Sequence, residues 1–293
     1  MKLSLFSPPA SLTSYRQVID FCVQNHIEGL ELFPMLELAE YDAQAARQVA
    51  QEARDKGLTL TCCSIGVDLG RTENDVQMDK LKRWVDCAAA AGSPFVHHTL
   101  ALSLTKDYGP VTFRQMLDRL VPAARTIFDY AADRGVLCLY EDQGMYINGT
   151  ASFGAFLDAL DRPAGVCLDV GNCLFVDEPP EKFAGAFLPL VRHVHLKDYI
   201  VRPAWMPNPG EGWYRSAAGN YMLEVTMGHG SVQFETVFEQ LVRGGYDGWY
   251  SLEYFGAGDV AEQVQSVKNV RRYYQNACAR AAVSGTAGLL SAE

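Results

Sequence analysis

The sequence contains no long uninterrupted apolar segment. No run approaches the roughly 18 consecutive apolar residues that identify a transmembrane helix. The first residues, MKLSLFSPPASL, carry one lysine and an apolar stretch that is short for a secretory signal. These features predict a cytoplasmic protein without a membrane partner.

Basic residues are scarce relative to acidic ones. Lysine and arginine total 25, aspartate and glutamate total 35, and the formal net charge is -10. This charge opposes a broad attraction to nucleic-acid phosphates or anionic lipid. The first βα turn has no G-x-G-x-x-G, and the chain has no G-x-x-x-x-G-K-[ST] motif, so a dinucleotide or P-loop site loses its main support. We therefore expect a small-molecule partner and no nucleic acid.

The cysteines do not form the dense pattern of a disulfide scaffold. There are eight in 293 residues, and several fall inside apolar runs such as LTLTCCSIGV and VLCLYED. Free thiols in the core of a protein from a reducing compartment fit this distribution.

Eight short apolar segments rich in β-forming residues are spread along the chain. Their nearly continuous apolar character is typical of parallel strands that are covered on both faces. The predicted strands span Lys2 to Ser7, Gly29 to Phe33, Leu58 to Val67, Phe95 to Leu100, Val136 to Glu141, Val166 to Val170, Val191 to Lys197 and Trp249 to Tyr254.

Helical patterns lie between these strands. Clear examples are Asp42 to Lys56, Phe113 to Arg134 and Ser231 to Arg243, and Pro122 should kink the second or mark its start. Strict alternation of strand and helix favours a single-domain α/β fold, the (β/α)8 TIM barrel, which commonly uses about 250 residues. We place this domain at residues 1–275 and a C-terminal tail at 276–293.

Two stretches depart from the regular unit. Residues 199–228 form a long Pro/Gly/aromatic connection between the seventh and eighth strands, which we interpret as a lid or binding loop. The tail from about Asn276 is rich in small residues and is expected to fray or to dock on a partner.

Four chemically active side chains end consecutive predicted strands: Glu141, Asp169, His195 and Glu253. Reactive groups in this fold sit at the C-terminal ends of strands, so neighbouring strands bring such side chains to one mouth. One such residue alone is more often a solvated or salt-bridged group, but three carboxylates converging there would repel each other without a cation. The set predicts one divalent metal ion, with Mn²⁺ expected and Mg²⁺, Zn²⁺ or Co²⁺ as alternatives.

The motifs around these residues carry a family resemblance. YED at Glu141, LDVGN at Asp169, HVHLKD at His195 and the closing run GHGSVQFETVFEQLVRGGYDGWYSLEYF resemble the xylose isomerase-like barrel family. That family includes sugar epimerases, hydroxypyruvate isomerase, inosose dehydratase and endonuclease IV. The three-metal cluster of the endonuclease branch needs further ligands that the six histidines of this chain do not supply in a recognisable pattern.

The resemblance implies a metal-dependent sugar isomerase or epimerase that removes a proton through a metal-stabilised enediolate. Glu141 and Glu253 would be both ligands and the acid/base pair, whereas Asp169 and His195 would be ligands only. Many such epimerases have histidine where this chain has Asn172, which implies that Asn172 binds a substrate hydroxyl. A homo-oligomer is also implied by the family alone.

Further candidates for contacting a small sugar-like substrate are less specific. His97 and His98 are adjacent on one strand, so one faces the barrel interior, where it reaches the substrate or is satisfied by the core. His193 is expected to orient its neighbour or to pack in the core, and Lys197 to contact a substrate oxyanion or pair with an acidic ligand. The substrate-binding candidates are Asn172, Lys197, His98, His229, Trp213 and Arg215, although His229 also fits a plain turn and the loop residues fit loop packing.

Two alternatives stay open at the level of sequence. A lyase, such as an inosose-type dehydratase or a 3-oxo-glycoside-cleaving enzyme, would use the same site and begin with the same proton abstraction. A non-catalytic barrel that only binds its partner is the third possibility.

Overall fold

A computed structural model describes residues 1–71, 74–102, 104, 108–256 and 259–287, with side chains described up to residue 283. Among these residues, no helix combines the length and apolar content that crossing a bilayer requires.

Within the described residues, eight parallel strands close into a barrel in the order β1-β11-β7-β6-β5-β4-β3-β2. This arrangement confirms the predicted single-domain (β/α)8 barrel. The strands are β1 (Lys2–Leu5), β2 (Gly29–Leu32), β3 (Thr59–Ile65), β4 (Phe95–His98), β5 (Leu137–Glu141), β6 (Gly165–Asp169), β7 (Val191–Leu196) and β11 (Trp249–Leu252).

The helices pack outside the barrel, and several begin at the capping residues that the sequence offers. Ser14 and Asp42 accept hydrogen bonds from the first turns of α1 and α2, and Thr112 forms a capping box with Gln115 at the start of α4. The described helices are α1 (Tyr15–Gln24), α2 (Ala43–Asp55), α3 (Asp75–Ala91), α4 (Phe113–Ala132), α5 (Gly149–Leu160), α6 (Pro180–Phe187), α7 (Phe234–Arg243) and α8 (Val260–Ala287). Pro122 lies inside α4, so the expectation that it marks a helix start is wrong.

The main core lies between the strands and the helix layer. Its largest fully buried side chains include Trp84, Tyr140, Phe153 and Phe238, and the ring of Phe153 packs edge-on against Phe183. All eight cysteines are free and seven are buried, as the prediction of core thiols requires.

Residues 199–228 are more ordered than the predicted loop. They contain an antiparallel sheet of β8 (Tyr199–Arg202), β10 (Tyr221–Glu224) and β9 (Tyr214–Arg215), in that order, which we call the insertion sheet. Asp177, which follows β6, accepts hydrogen bonds from Ser216 Oγ at 2.6 Å and from Ala218 N at 2.7 Å. The long connection therefore contains regular strands, and these contacts tie it to the barrel; its interpretation as a lid or binding loop stays a prediction.

Helix α8 continues across the position at which we placed the start of the tail. Asn276 Nδ2 donates to Glu235 Oε1 of α7 at 2.6 Å, and Ala277 is buried. The structure thus has no break at residue 276, and residues 288–293 of the predicted tail lie outside the described residues.

Candidate metal centre

Four buried side chains meet at the C-terminal end of the barrel. Glu141 ends β5, Asp169 ends β6, His195 lies near the end of β7, and Glu253 directly follows β11. One nitrogen or oxygen atom from each lies within 4.8 Å of those of the other three. His195 Nδ1 is 2.9 Å from Glu141 Oε1 and 3.0 Å from Glu253 Oε2. The structure therefore brings together all four residues that the sequence suggested as ligands.

The chemistry of this cluster fits one divalent cation. Asp169 Oδ2 and Glu253 Oε2 are buried and have no hydrogen-bond partner among the described residues. Buried carboxylate oxygens without partners are costly, and a cation among them would remove that cost. Three carboxylates and one imidazole form an oxygen-rich ligand set that suits Mn²⁺ or Mg²⁺ and also accepts Zn²⁺ or Co²⁺.

The turn after β6 holds Asp169 in position. Its Oδ1 accepts hydrogen bonds from Gly171 N at 2.7 Å and Asn172 N at 2.8 Å, which leaves Oδ2 directed to the cluster. Asp142 Oδ1 accepts a hydrogen bond from Asp169 N at 3.0 Å and so links β5 to β6. Asn172 lies beside the aspartate, and its buried Nδ2 has no hydrogen-bond partner among the described residues.

Lys197 supplies a buried positive charge within the cluster. Its Nζ donates to Glu253 Oε1 at 2.5 Å and lies 3.6 Å from Asp169 Oδ2. Burial lowers the pKa of this ammonium, but Glu253 and the other nearby acidic groups outweigh burial and raise it well above its ordinary value. Burial raises the pKa of Asp169 to about 8; Lys197 opposes this rise, whereas Glu253 and Glu141 add to it.

Glu31, which no local sequence pattern singled out, lies buried on β2 and contacts the histidines of β7. Its Oε2 is 2.7 Å from His193 Nε2, its Oε1 is 3.0 Å from His195 Nε2, and Ser64 Oγ also donates to it. Burial raises the pKa of Glu31, but His195 and His193 outweigh burial and hold it well below the ordinary value. The available signal was a lone glutamate in an apolar strand together with the H-x-H pattern of β7.

The two adjacent histidines of β4 face opposite sides of the barrel wall. His97 points inward, with Nδ1 3.0 Å from Ser64 Oγ and Nε2 3.4 Å from Glu141 Oε2. His98 packs its ring against Tyr140 on the helix side, and burial lowers its pKa to about 4. The expectation that His98 contacts the substrate is therefore corrected, because strand alternation turns its side chain toward the helices, whereas His97 lines the cavity.

The other substrate candidates, His229, Trp213 and Arg215, do not line the cavity beside the cluster, and neither do Asn172 and Lys197. His229 is exposed in a turn whose backbone, at Gly228 and Gly230, donates to Asp198 Oδ2 at 2.8 Å in both cases. Arg215 donates to Gly219 O at 2.6 Å within the insertion sheet. Trp213 is half-buried just before β9.

A cavity of about 170 Å³ opens beside the cluster. It is small compared with the roughly 300–1,000 Å³ of pockets for drug-sized ligands. Phe6 forms part of its wall and stacks on the ring of His195 with centroids 4.9 Å apart. The described lining contains no lysine or arginine; it consists of Phe6, Phe33, Ser64, Ile65, Gly66, His97, Thr99, Leu102, Glu141, Gln143, Glu253 and Phe255.

Comparison with protein families gives a match over residues 19–275 to the family described as xylose isomerase-like TIM barrel. The chain is 25% identical to the inosose dehydratase of Geobacillus thermodenitrificans over 174 residues, which cover 59% of this chain and 58% of that protein. It is 28% identical to the inosose dehydratase of Klebsiella pneumoniae over 188 residues, which cover 62% and 59%. The match therefore spans less than two thirds of the length of either relative.

Solved structures with the same fold cover nearly the whole chain. A xylose isomerase domain protein from Planctomyces limnophilus has a TM-score of 0.75 at 17% identity, covering 96% of this chain and 98% of that one. D-psicose 3-epimerase in the presence of D-fructose has a TM-score of 0.71 at 17% identity, with coverage of 94% and 99%. The zinc-bound IOLI protein has a TM-score of 0.73 at 14% identity, with coverage of 94% and 99%. At these identities the likeness speaks for the fold alone.

Proposed function

Because the chain belongs to the xylose isomerase-like TIM barrel family, we propose that it is a divalent-metal-dependent isomerase or epimerase of a small keto-sugar or related polyol. The observation that carries this proposal is the convergence of Glu141, Asp169, His195 and Glu253 at the edge of one small cavity. The buried oxygens Asp169 Oδ2 and Glu253 Oε2, which have no hydrogen-bond partner among the described residues, support a bound cation there.

The four residues would hold the cation through three carboxylates and His195 Nδ1. Bound there, the ion would act as a Lewis acid that polarises a ketone and stabilises the negative charge that develops on its oxygen. The chain itself positions these ligands: backbone amides hold Asp169, Lys197 holds Glu253, and Glu31 holds His195.

Glu141 and Glu253 are the groups that would move the proton. Both line the cavity, so a carbon next to the ketone can reach either carboxylate. One carboxylate removes the C–H proton and the other returns a proton, to the opposite face for epimerisation or to the adjacent carbon for isomerisation. Lys197 engages Oε1 of Glu253, which leaves Oε2 as the oxygen available for the ion or the proton.

The walls of the cavity favour an unphosphorylated substrate with one apolar face. Phe6, Phe33 and Phe255 form an aromatic group, with the centroid of Phe6 5.5 Å from Phe33 and 5.6 Å from Phe255. Aromatic rings of this kind pack against the C–H face of a sugar or cyclic polyol. The absence of basic side chains from the described lining gives a phosphate group no charged partner.

Dehydration of an inosose-like cyclic ketone is the second candidate, and the curated relatives named inosose dehydratase favour it. The reaction begins with the same removal of a proton beside a ketone. A hydroxyl on the next carbon then leaves with a proton as water, and a carbon–carbon double bond forms.

Incubation in D2O separates these reactions. The Mn²⁺-loaded protein would be incubated with ketohexoses, tagatose or inosose, the metal removed with a chelator, and the products examined by proton NMR. Deuterium beside the carbonyl of an intact sugar supports isomerisation or epimerisation, whereas an enone or diketone supports dehydration. If none of these compounds shows deuterium exchange or loss of water, the proposal is contradicted.

Variants at the two glutamates test the assignment. Glu141→Gln and Glu253→Gln should each reduce the exchange rate by about 100-fold or more, because each removes a proton-transfer group. Glu178→Gln is the matched control, since Glu178 bonds to Thr150 and Lys182 away from the cavity. Equal exchange in all three variants would exclude Glu141 and Glu253 as the acid/base pair.

A further inference from the structure

One buried carboxylate, that of Glu31, contacts three polar groups in the barrel interior. Glu31 is 1% exposed, and its neighbours are His193 Nε2, His195 Nε2 and Ser64 Oγ. Glu31 lies on β2, the two histidines lie on β7, and Ser64 lies on β3. Ser64 also contacts His97 of β4, so hydrogen bonds that start at Glu31 connect four strands.

The positions of hydrogen atoms follow from what each group is able to donate. An ionised carboxylate only accepts hydrogen bonds, so each of the three neighbours must donate to Glu31. His195 therefore carries hydrogen on Nε2. Its Nδ1 faces Glu141 and Glu253 and donates to Glu141 Oε1 at 2.9 Å in the protein without a cation, so Nδ1 is the nitrogen whose hydrogen a bound cation would replace.

The chain of hydrogen bonds continues from Glu31 through Ser64 to His97. A serine hydroxyl has one hydrogen, and Ser64 donates it to Glu31, so Ser64 Oγ must accept from His97 Nδ1 at 3.0 Å. The other nitrogen, His97 Nε2, is buried, lines the cavity and has no hydrogen-bond partner among the described residues. With hydrogen on Nδ1, the Nε2 of a neutral ring is an acceptor, and it lies at the cavity wall 3.4 Å from Glu141 Oε2.

We propose that Glu31 is a positioning residue that sets the tautomer of His195 directly and that of His97 through Ser64. His195 is thereby prepared to bind the cation through Nδ1, and His97 to accept a hydrogen bond from a hydroxyl group of the polyol substrate through Nε2. The inference rests on the proposed metal-dependent function and deepens it, because it assigns a hydroxyl-recognition role to His97.

The test compares variants by NMR of ¹⁵N-histidine in the Mg²⁺-loaded protein and by Mn²⁺ titration calorimetry. Glu31→Leu removes the acceptor, so hydrogen on His195 moves toward Nδ1, where Glu141 accepts it, and Mn²⁺ affinity falls by about 10- to 100-fold. Glu31→Gln retains one acceptor oxygen, so at least one of its three donors must lose its partner, and the loss of affinity is smaller. If Glu31→Leu does not fold, Glu31→Gln alone provides the tautomer and affinity measurements.

Ser64→Ala separates the two histidines. It should change the tautomer of His97 and raise the KM for substrate, while Mn²⁺ affinity stays within about twofold of the parent because His195 keeps its bond to Glu31. Ser4→Ala is the matched control, since Ser4 is also a buried barrel serine but bonds to Thr61. It should change neither tautomer nor affinity.

Two results would overturn the inference: hydrogen retained on Nε2 of His195 with unchanged Mn²⁺ affinity in both Glu31 variants, or an unchanged His97 tautomer in Ser64→Ala. Failure of the proposed function looks different. If the parent protein binds no divalent cation but its histidines have the stated tautomers, the positioning role stands and the metal-dependent reaction does not.

Discussion

Lys197 Nζ lies 2.5 Å from Glu253 Oε1, and both side chains are buried at the mouth of the barrel. The ammonium therefore balances part of the negative charge that three carboxylates create there. Since it also lies 3.6 Å from Asp169 Oδ2, its positive charge opposes the binding of a divalent cation at that oxygen.

Replacement of Lys197 should strengthen cation binding. In Lys197→Met the carboxylates lose a neighbouring positive charge, and we expect Mn²⁺ affinity to rise by about tenfold, measured by titration calorimetry. Lys182→Met is the control, because Lys182 pairs with Glu178 on the surface. A lower affinity in Lys197→Met would mean that the lysine supports the binding of the cation instead of opposing it.

Metal affinity should increase with pH. The pKa of Asp169 is raised to about 8 in the protein without a cation, so the side chain is protonated below that pH and must release its proton to bind the ion. Affinity should rise by at least about tenfold per pH unit between pH 6 and pH 8, because Asp169 and His195 Nδ1 each give up a proton to the solvent when the ion binds. Calorimetry in buffers of different ionisation enthalpy would detect the released proton. A flat profile between pH 6 and pH 8 would contradict the raised pKa.

His98 should make the fold sensitive to acid. Burial lowers the pKa of His98 from 6.5 to about 4. Below about pH 6.5 this histidine is therefore protonated in the unfolded chain but stays neutral in the folded chain until about pH 4. The free energy of unfolding consequently decreases as the pH falls through this range. We expect the parent to have a larger free energy of unfolding than His98→Asn at pH 7. At pH 5 this difference between parent and variant should be smaller by about 2 kcal/mol, as measured by urea unfolding. An equal stability difference between parent and His98→Asn at pH 7 and at pH 5 would contradict the lowered pKa of His98.

Two glycines should respond oppositely to alanine. A Cβ at Gly230 would lie 2.3 Å from Asp198 Oδ1 and 2.6 Å from Tyr199 O, so Gly230→Ala should destabilise the fold by about 3 kcal/mol. A Cβ at Gly154, inside α5, meets only Phe187 at 3.7 Å, and Gly154→Ala should stabilise the fold by about 0.5–1 kcal/mol. Thermal unfolding of both variants measures the difference. Equal changes in stability in the two variants would show that the turn around Asp198 can move to accommodate the added methyl group.

The barrel was predictable because each strand is a short apolar run with a helix after it. The four convergent residues were predictable for a related reason: each stands at the end of such a run, and adjacent parallel strands end at the same edge. Glu31 was not predictable in this way, because its partners His193 and His195 are 162 and 164 residues away and no local pattern links them.

The structure also differs from the sequence-based expectations at His98 and in the insertion sheet. Alternation shows that His97 and His98 face opposite ways, but not which one faces inward, since that depends on the register of β4 with its neighbours. The insertion sheet escaped prediction because its strands are only two to four residues long and lie among proline and glycine. The insertion sheet is held in place by the hydrogen bonds of Ser216 and Ala218 to Asp177, and these contacts form only when the chain folds.

The bond from Glu31 to His195 also ties the site to the way the chain folds. It joins positions 164 residues apart, and β2 faces β7 across the interior only once the ring of strands has closed. Contacts of such sequence separation carry a large entropic cost and form late. The ability to hold a cation should accordingly emerge with the last step of folding, so that a bound ion would stabilise the finished barrel over every partly closed intermediate.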